Sequence, residues 1–517
     1  MKQIVVVGGG SAGWITAGLL AARYSQESDY QITIVESPEV NSIGVGEGTW
    51  PSMRDTLQQL GLSEVDFMQA SNASFKQGST FFGWTTGDAN DRYHHPFTVP
   101  SGYSQSDLHS GWLALASNQP FADCVGVQSH VCTAGLAPKQ YQTPEYAGVT
   151  NYGYHFDADK FIGVLSEHCQ KKLGVKRVAA HIEQVEQHSS GDIAAVITQS
   201  GQSISGDFFI DCSGMQALLI GKTLGVEWRS QCDVLFNDRA LALRVDYPTA
   251  QTDIASTTLA TAHANGWVWD IGLSSRKGVG CVFSSNFSDA ENAERVLCDY
   301  LQRDDIAEFN PRLLKFDPGY RQHIWSNNCL AVGMSAGFLE PLEASALAMV
   351  ELTANMLCDN LPALFTNMPL VRDRFNQRFT YRWQRVVEFL KLHYAISQRT
   401  DSEYWHANRA TETIPERLIE QLSLWRNLPP SRYDFFENEE VFSSASYQYV
   451  LYGMHYETTN IQRRGHAAHL KTCGRLFQEN RQYVNKLYRG LPSNRDWLAK
   501  VIGGPLANIG KSYAANV

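Results

Sequence analysis

No stretch of this chain reaches the roughly 18 consecutive apolar residues that a membrane helix needs, although hydrophobic residues make up 43% of its 517 positions. A membrane-spanning helix is therefore not expected. Metal-binding spacing is also missing. The ten cysteines are scattered from Cys124 to Cys473 with no C-x-x-C pair and no His/Cys cluster at zinc spacing, so no metal site is expected, and reduced thiols in a cytoplasmic protein are. Positive charge is in deficit: 43 Lys and Arg stand against 53 Asp and Glu, a net −10 with no long basic run. That balance argues against a nucleic-acid footprint and leaves small molecules as the expected partners. There is no internal repeat and no low-complexity tract. The length exceeds one minimal domain, so a large core module with a second region packed on it is expected.

The N-terminus, MKQIVVVGGG, carries an apolar stretch that glycines cut short, with no small-residue cleavage site after it; it reads as a first strand and not as a signal peptide. Residues 3–7 are β-rich, Ser11 to about Arg23 has helical character, and 31–36 is a second apolar run ending in an acid. From about 85 to 150 the chain is rich in Gly, Ser, Pro and aromatic residues with little helical period, which predicts long covering loops or short strands. The stretch 181–211 alternates short β-type runs with Gly/Ser turns, predicting a small antiparallel meander that leads back into the core sheet. Residues 371–398 carry apolar and aromatic side chains at helical spacing without Gly or Pro, so the C-terminal third should be mostly helical.

Gly8-Gly9-Gly10-Ser11-Ala12-Gly13 matches G-x-G-x-x-G directly after a strand and at the start of a helix. Small residues there let backbone N–H groups approach a pyrophosphate at the positive helix end. Glu36 closes the second strand 23 residues after Gly13, near the roughly 20-residue spacing of an acid that hydrogen-bonds a ribose hydroxyl. FAD and NAD share this fingerprint. It occurs once, with no second glycine-rich unit for NAD(P)H.

Further motifs follow in order: GGGSAGW at 8–14, GVGEGTWP at 44–51, ASFKQGSTFFGW at 73–84, NYGYHFDADKF at 151–161, GDFFIDCSG at 206–214, GWVWDIGL at 266–273, NCLAVGMSAGFLEPLEAS at 328–345 and RTDSEYW at 399–405. In these motifs and their order the chain resembles the flavin-dependent tryptophan halogenases, from Gly8 to about Trp405. The resemblance implies an α/β fold: an FAD-binding, Rossmann-type (glutathione-reductase-like) module with inserted β-rich segments and a mostly helical C-terminal region. It implies a discontinuous FAD module from 1–84, 151–225 and 320–350, and a substrate-binding region from 85–150, 226–319 and 351–517. By the same resemblance Gly8, Gly10, Ser11, Ala12, Gly13 and Glu36 bind the ADP half of FAD, Gly46, Glu47 and Thr49 lie near the flavin, and Asp211 and Gly333 complete the site.

In that family reduced FAD, O2 and a halide ion, chloride or bromide, yield hypohalous acid. A lysine and a glutamate guide the oxidant to the substrate; they correspond here to Lys76 and to Glu343 of the E-P-L-E motif. The chemistry suits the residue types. An ammonium can hydrogen-bond hypohalous acid and make its halogen more electrophilic, while a neutral amine can form a haloamine. A carboxylate can stabilise the cationic ring adduct and accept its proton. Outside such motifs a lone lysine reads as a solvated surface group, and a lone glutamate as an acid at a helix N-terminus. The resemblance places the halide on the backbone amides of Ser345 and Ala346, although the family's E-S-T-G is here Glu343-Ala344-Ser345-Ala346. The W-x-W-x-I-P signature appears as Trp267, Trp269 and Ile271 with Gly272 in the proline's place. These bulky residues would line a tunnel, and the glycine is expected to loosen it.

The resemblance also gives a substrate region. His95 and Phe97 match a His-x-Phe stretch that flanks an indole. The family's Phe-Trp-Asn-Asn-Ser-Asn-Tyr-Tyr lid is replaced by the stretch from Val441 to Gln448, so Phe442 and Ser446 stand where tryptophan and asparagine contacts would be. Without those anchors a zwitterionic amino acid would be buried with fewer partners, so indole or another electron-rich aromatic is expected over free tryptophan. A separate flavin reductase would supply FADH2. A flavin-dependent aromatic hydroxylase is the alternative, and the sequence leaves monomer or homodimer open.

Overall fold

A computed structural model of the chain describes residues 1–24, 29–39, 46–103, 106–303, 306–459 and 466–503; Gly44 and Val45 of the GVGEGTWP motif lie outside them. The first strand, Lys2–Val7, pairs in parallel with Tyr30–Glu36 on one side and Phe208–Asp211 on the other. It stands inside a six-stranded sheet ordered Trp325–Ser326, Cys329–Ala331, Phe208–Asp211, Lys2–Val7, Tyr30–Glu36, Lys176–Ala179. Both faces are covered, which explains the unbroken β-branched run. Ile4 and Val6 enter the main core with Trp14 and Ile15, while Val5 and Val7 pack under the meander against Ile193, Val196 and Phe209. The helix Ser11–Tyr24 lies between the helices Ala158–Lys172 and Ser345–Leu364 and is buried from Gly13 to Ala21.

The expected meander is present as Ile182–Gln187, Ile193–Thr198 and Ser203–Ser205, antiparallel throughout, and the chain then re-enters the core sheet at Phe208. A seven-stranded sheet carries the strands Arg312–Lys315, Arg239–Asp246, Arg276–Phe283, Gly266–Gly272, Thr258–His263, Gly78–Phe82 and Arg92–Pro96 in that order. A smaller sheet joins Gly46–Gly48, Gly153–Asp157 and Ser74–Lys76.

The region 85–150 departs from expectation. Besides the strand Arg92–Pro96 it forms three helices, Leu108–Leu115, Phe121–Val125 and Gln128–Thr133. None exceeds eight residues, too short for a periodic pattern, and helices of that length form through packing and not propensity. Here Trp112 and Phe121 lock edge to face and Phe121 meets Tyr452 of the helix Ser444–Gly453. The C-terminal third is helical as expected, dominated by Met368–Ala395 and His466–Gly490. Among the described residues no helix is long and apolar enough to cross a membrane.

Candidate active site

The glycine-rich turn has the shape its sequence demands. Gly8 leaves the first strand at φ +115°, and a Cβ there would lie 2.1 Å from the Cys212 carbonyl oxygen, so only glycine fits. A Cβ on Gly10 would meet nothing within 4 Å. Gly10 therefore faces open space at the N-terminus of the helix Ser11–Tyr24, where unpaired N–H groups and the helix dipole favour an anion. Gly333, at φ +76°, brings a second turn so close that its Cβ would sit 2.7 Å from that of Ala12. These features fit the diphosphate of a dinucleotide such as FAD.

The other expected cofactor residues divide. Glu36 takes a hydrogen bond from Trp14 Nε1 at 3.1 Å and an ion pair from Arg177, which holds its carboxylate beside Gly9. Asp211 is filled by its own turn: Ser213 N, Ser213 Oγ, Leu219 N and Ile220 N all donate to it at 2.6–3.0 Å. The Thr49 hydroxyl is likewise engaged by Tyr154 N at 2.8 Å. Gly46 packs toward Ile271. Glu47, paired with Phe156, sits on the opposite face from Gly46 and Gly48; burial, with Asp159 nearby, raises its carboxyl to about 7.

Lys76 ends the strand Ser74–Lys76, opposite Gly153. On the neighbouring strand Gly48 lies opposite His155, so alternation puts Lys76, His155 and the two glycines on one face. A Cβ on Gly48 would be 3.2 Å from Lys76 Nζ and 3.4 Å from His155 Cδ2; the missing side chain is what leaves room for the ammonium. Lys76 is 1% exposed, far from the solvated lysine that its type alone suggests. Its Nζ stands 5.4 Å over the Phe97 ring, and among the described residues no side chain hydrogen-bonds it. Burial lowers its pKa to about 8 against the pull of Glu343. Burial and the Lys76 charge hold His155 well below the ordinary histidine range. His155 Nε2 meets Thr258 Oγ1 at 2.8 Å, and its Nδ1 has no partner.

Glu343, 4% exposed, is fixed from three directions. His95 Nδ1 lies 2.9 Å and His393 Nε2 3.1 Å from its Oε1, and Trp50 Nε1 donates to its backbone carbonyl at 2.9 Å. Burial alone would raise the carboxyl, but the two imidazoles outweigh it and bring the value down to about 2. The ring of His393 also bonds the Phe389 carbonyl through Nδ1 at 2.9 Å. A carbonyl only accepts, so the bond at Nε2 needs a second hydrogen on the ring or one on the carboxyl. After Glu343 the backbone turns through Ala344 at φ +53°, ψ +38°, and the helix Ser345–Leu364 begins with no side-chain cap, leaving the Ser345 and Ala346 amides among its unpaired donors.

Trp267, Trp269 and Ile271 alternate along the strand Gly266–Gly272 and share one buried face. That row ends at Gly46, whose Cβ would touch Ile271 at 3.4 Å. Gly272 does not loosen the strand as its place in the motif suggests. It is paired with Lys277, and a Cβ there would lie 3.0 Å from both Ile254 and the Tyr247 hydroxyl; close neighbours restrain it in place of a proline ring.

Phe442 stacks on Phe389 at 3.8 Å and meets Trp50 edge-on at 5.0 Å; Phe389 is 5.7 Å from the His95 ring. The structure thus gathers Lys76, Phe97, His95, Glu343 and Phe442 around one buried centre. Ser446 is half-buried on the helix Ser444–Gly453 and bonds back to Ser443, joined to the centre only through that helix. Sequence reasoning missed His393, Phe389 and Trp50. The available signal for His393 was a titratable ring one turn after Phe389 on the buried face of a long helix.

A glycine-rich dinucleotide turn, a buried row of bulky side chains and a buried lysine and carboxylate are the parts expected of a flavin-dependent ring halogenase. The chain belongs to the tryptophan halogenase family, whose model matches residues 3–469. It is 30% identical to "7-chloro-L-tryptophan 6-halogenase KtzR" of Kutzneria sp. (strain 744) over 97% of this chain and 99% of that one. It is 31% identical to "Tryptophan 6-halogenase SttH" of Streptomyces toxytricini over 87% and 89%. The crystal structure of a tryptophan halogenase from Shewanella frigidimarina NCIMB 400 superposes with a TM-score of 0.94 at 46% identity, covering 97% of this chain and 98% of that one. All three are named as halogenases, which sets aside the aromatic hydroxylase alternative.

Proposed function

We propose that Lys76 and Glu343 carry out halogenation of an electron-rich, indole-like aromatic, with FAD held in the glycine-rich cradle. Gly8, Gly10, Ser11, Ala12 and Gly13 would hold its diphosphate at the helix end and Glu36 its ribose, with Gly46, Glu47, Thr49, Asp211 and Gly333 framing the rest. FAD, when bound and reduced, supplies with O2 and chloride or bromide the hypohalous acid that the site uses; a separate flavin reductase delivers it as FADH2. The Ser345 and Ala346 amides hold the halide. Trp267, Trp269 and Ile271 form the wall between cofactor and substrate.

Lys76 is the donor to the oxidant. With its pKa lowered to about 8, roughly nine-tenths of it is ammonium at pH 7. Its hydrogens, unclaimed by any described neighbour, are available to the oxygen of hypohalous acid and polarise the halogen toward the ring. Glu343 stays ionised, stabilises the cationic adduct and takes the ring proton. His95 and His393 keep the carboxylate oriented. His95, Phe97 and Phe442 flank the flat substrate, with Ser446 at the outer edge. The relatives are named for tryptophan. Here Phe442 stacks on Phe389 where that family has polar lid residues, which supports a substrate without the amino-acid group.

The observation that carries this reading is a buried lysine with no hydrogen-bond partner among the described residues, electrostatically coupled to a carboxylate that two imidazoles hold. The test is product mass after incubation with indole, reduced FAD, O2 and either chloride or bromide. The mass should follow the halide, and a hydroxylated product with both salts would refute the reading.

A further inference from the structure

Glu340, the first glutamate of E-P-L-E, has no part in the chemistry above, yet it is as deeply buried as Glu343, at 2% exposure. Trp267 Nε1 and Asn237 Nδ2 each donate to its Oε2 at 2.7 Å, and the Tyr394 hydroxyl lies 2.9 Å from both oxygens. Asn237 is oriented by the carboxylate, which takes its Nδ2, while its Oδ1 accepts from Tyr404 at 3.0 Å. A carboxylate only accepts, so each of these donors is held in one sense. Trp267 and Asn237 share one oxygen, so a glutamine could keep both bonds with its carbonyl and turn its NH2 to the Tyr394 hydroxyl, whereas methionine removes the acceptor altogether.

The bond to Trp267 matters because of where that indole stands. It begins the row that continues through Trp269 and Ile271 to Gly46. Its ring neighbours are Trp84 at 6.3 Å and Trp269 at 6.4 Å. Trp84 in turn lies 6.0 Å from His393 and 5.2 Å from Tyr394. Consecutive residues of the helix Met368–Ala395 therefore hold the two glutamates: His393 bonds Glu343 and Tyr394 bonds Glu340. One segment carries the proton acceptor and the anchor of the wall.

We propose that Glu340 is a positioning residue that fixes the Trp267 indole in the wall, so that oxidant reaches Lys76 and is not lost on the way. This rests on the halogenase reading above and adds a role which that reading does not require. The N–H of Trp267 is its direct reporter. In a 15N–1H spectrum of the holoenzyme, Trp267→Phe identifies the signal by its loss. In the unmodified protein that signal should be protected from exchange, and in Glu340→Met it should shift and exchange at least ten-fold faster.

The functional arm is halogenated product per O2 consumed. Glu340→Met should lower it about ten-fold while FAD binding holds, with the missing oxidant appearing as hydrogen peroxide. Trp267→Phe should do the same, and the double variant should be no worse than either single one. An unmoved indole signal in Glu340→Met, or additive losses in the double variant, would overturn the proposal. If the unmodified protein makes no halogenated product, the halogenase reading fails, and the indole signal still decides whether Glu340 holds Trp267.

Discussion

Among the described residues three lysines lie under 2% exposure, Lys76, Lys139 and Lys391, and the first two live in opposite circumstances. Lys139 spends its three hydrogens on Glu64 Oε2 at 2.8 Å, the Pro144 carbonyl at 2.9 Å and the Tyr152 hydroxyl at 3.2 Å. Glu64 is completed by Tyr152, Tyr154 and the Tyr146 amide. Nothing there is left over to offer a ligand, and the cluster ties the loop around Pro144 to the strand Gly153–Asp157. Lys76 lies near the same strand with its hydrogens unclaimed. Folding has borne the desolvation of its charge without a hydrogen bond in return, a cost that a purely structural lysine would not persist with. Burial is common to both sites, and the accounting of donors separates scaffold from chemistry.

The largest effect that would sharpen this contrast is on turnover. Lys76→Ala should retain flavin binding and O2 consumption while halogenation falls at least roughly 10³-fold. A wild-type rate of halogenation would put Lys76 with Lys139 among the structural lysines. Glu343→Gln keeps the shape but removes base and charge, and the single-turnover rate should drop roughly 10²-fold; an unchanged rate would return Glu343 to a structural role.

Stability should run the other way. Lys139→Met strands the Glu64 carboxylate and should cost about 3–5 kcal/mol in denaturant unfolding. Lys76→Met removes a charge that burial disfavours and should leave stability equal or raise it by about 1–3 kcal/mol at pH 7. The sign follows from linkage: the folded pKa of Lys76 lies below its unfolded value, so the protonated form is the costly one, and stability recovers as pH climbs from about 8 toward the ordinary lysine range. Equal losses in both variants would erase the distinction.

Activity should show the same titration in reverse. If the ammonium is the working form, halogenation falls as pH rises through about 8, approaching tenfold per pH unit beyond it, with no acid limb from Glu343 above about pH 2. A rate that rises through pH 8 would point to the amine and to a haloamine route. The smallest expected effect concerns the substrate: kcat/KM for indole should exceed that for L-tryptophan about tenfold, a difference near 1.4 kcal/mol. A clear preference for tryptophan would show that groups beyond Phe442 and Ser446 hold the amino-acid end.

Local patterns were legible in the sequence. The strand, glycine turn and helix at the N-terminus declare themselves because each residue's conformation is set by its immediate neighbours, as Gly8 shows. The meander and the helix Met368–Ala395 carry their own periods. The short helices between Leu108 and Thr133 do not, since packing with the C-terminal helices makes them. Motif membership marked Lys76, Glu343, Thr49 and Asp211 alike, but only coordinates separate a lysine with free donors from an aspartate already filled by its own turn. His393 was invisible for a related reason: helical periodicity identifies a buried face and is silent on which buried ring meets a carboxylate from a distant segment.

The bare wall beside Lys76 has a consequence for anyone who would redesign this enzyme. Because Gly48 leaves only 3.2 Å between an added Cβ and the Lys76 ammonium, every side chain placed there crowds the tip of Lys76, and larger ones must displace it. Phe442 sits in the turn that leads into a separate helix and packs on the rings of Phe389 and Trp50. Libraries that vary residues 441–446 and leave 46–48 and 74–76 untouched should change which molecule is halogenated long before they change whether anything is.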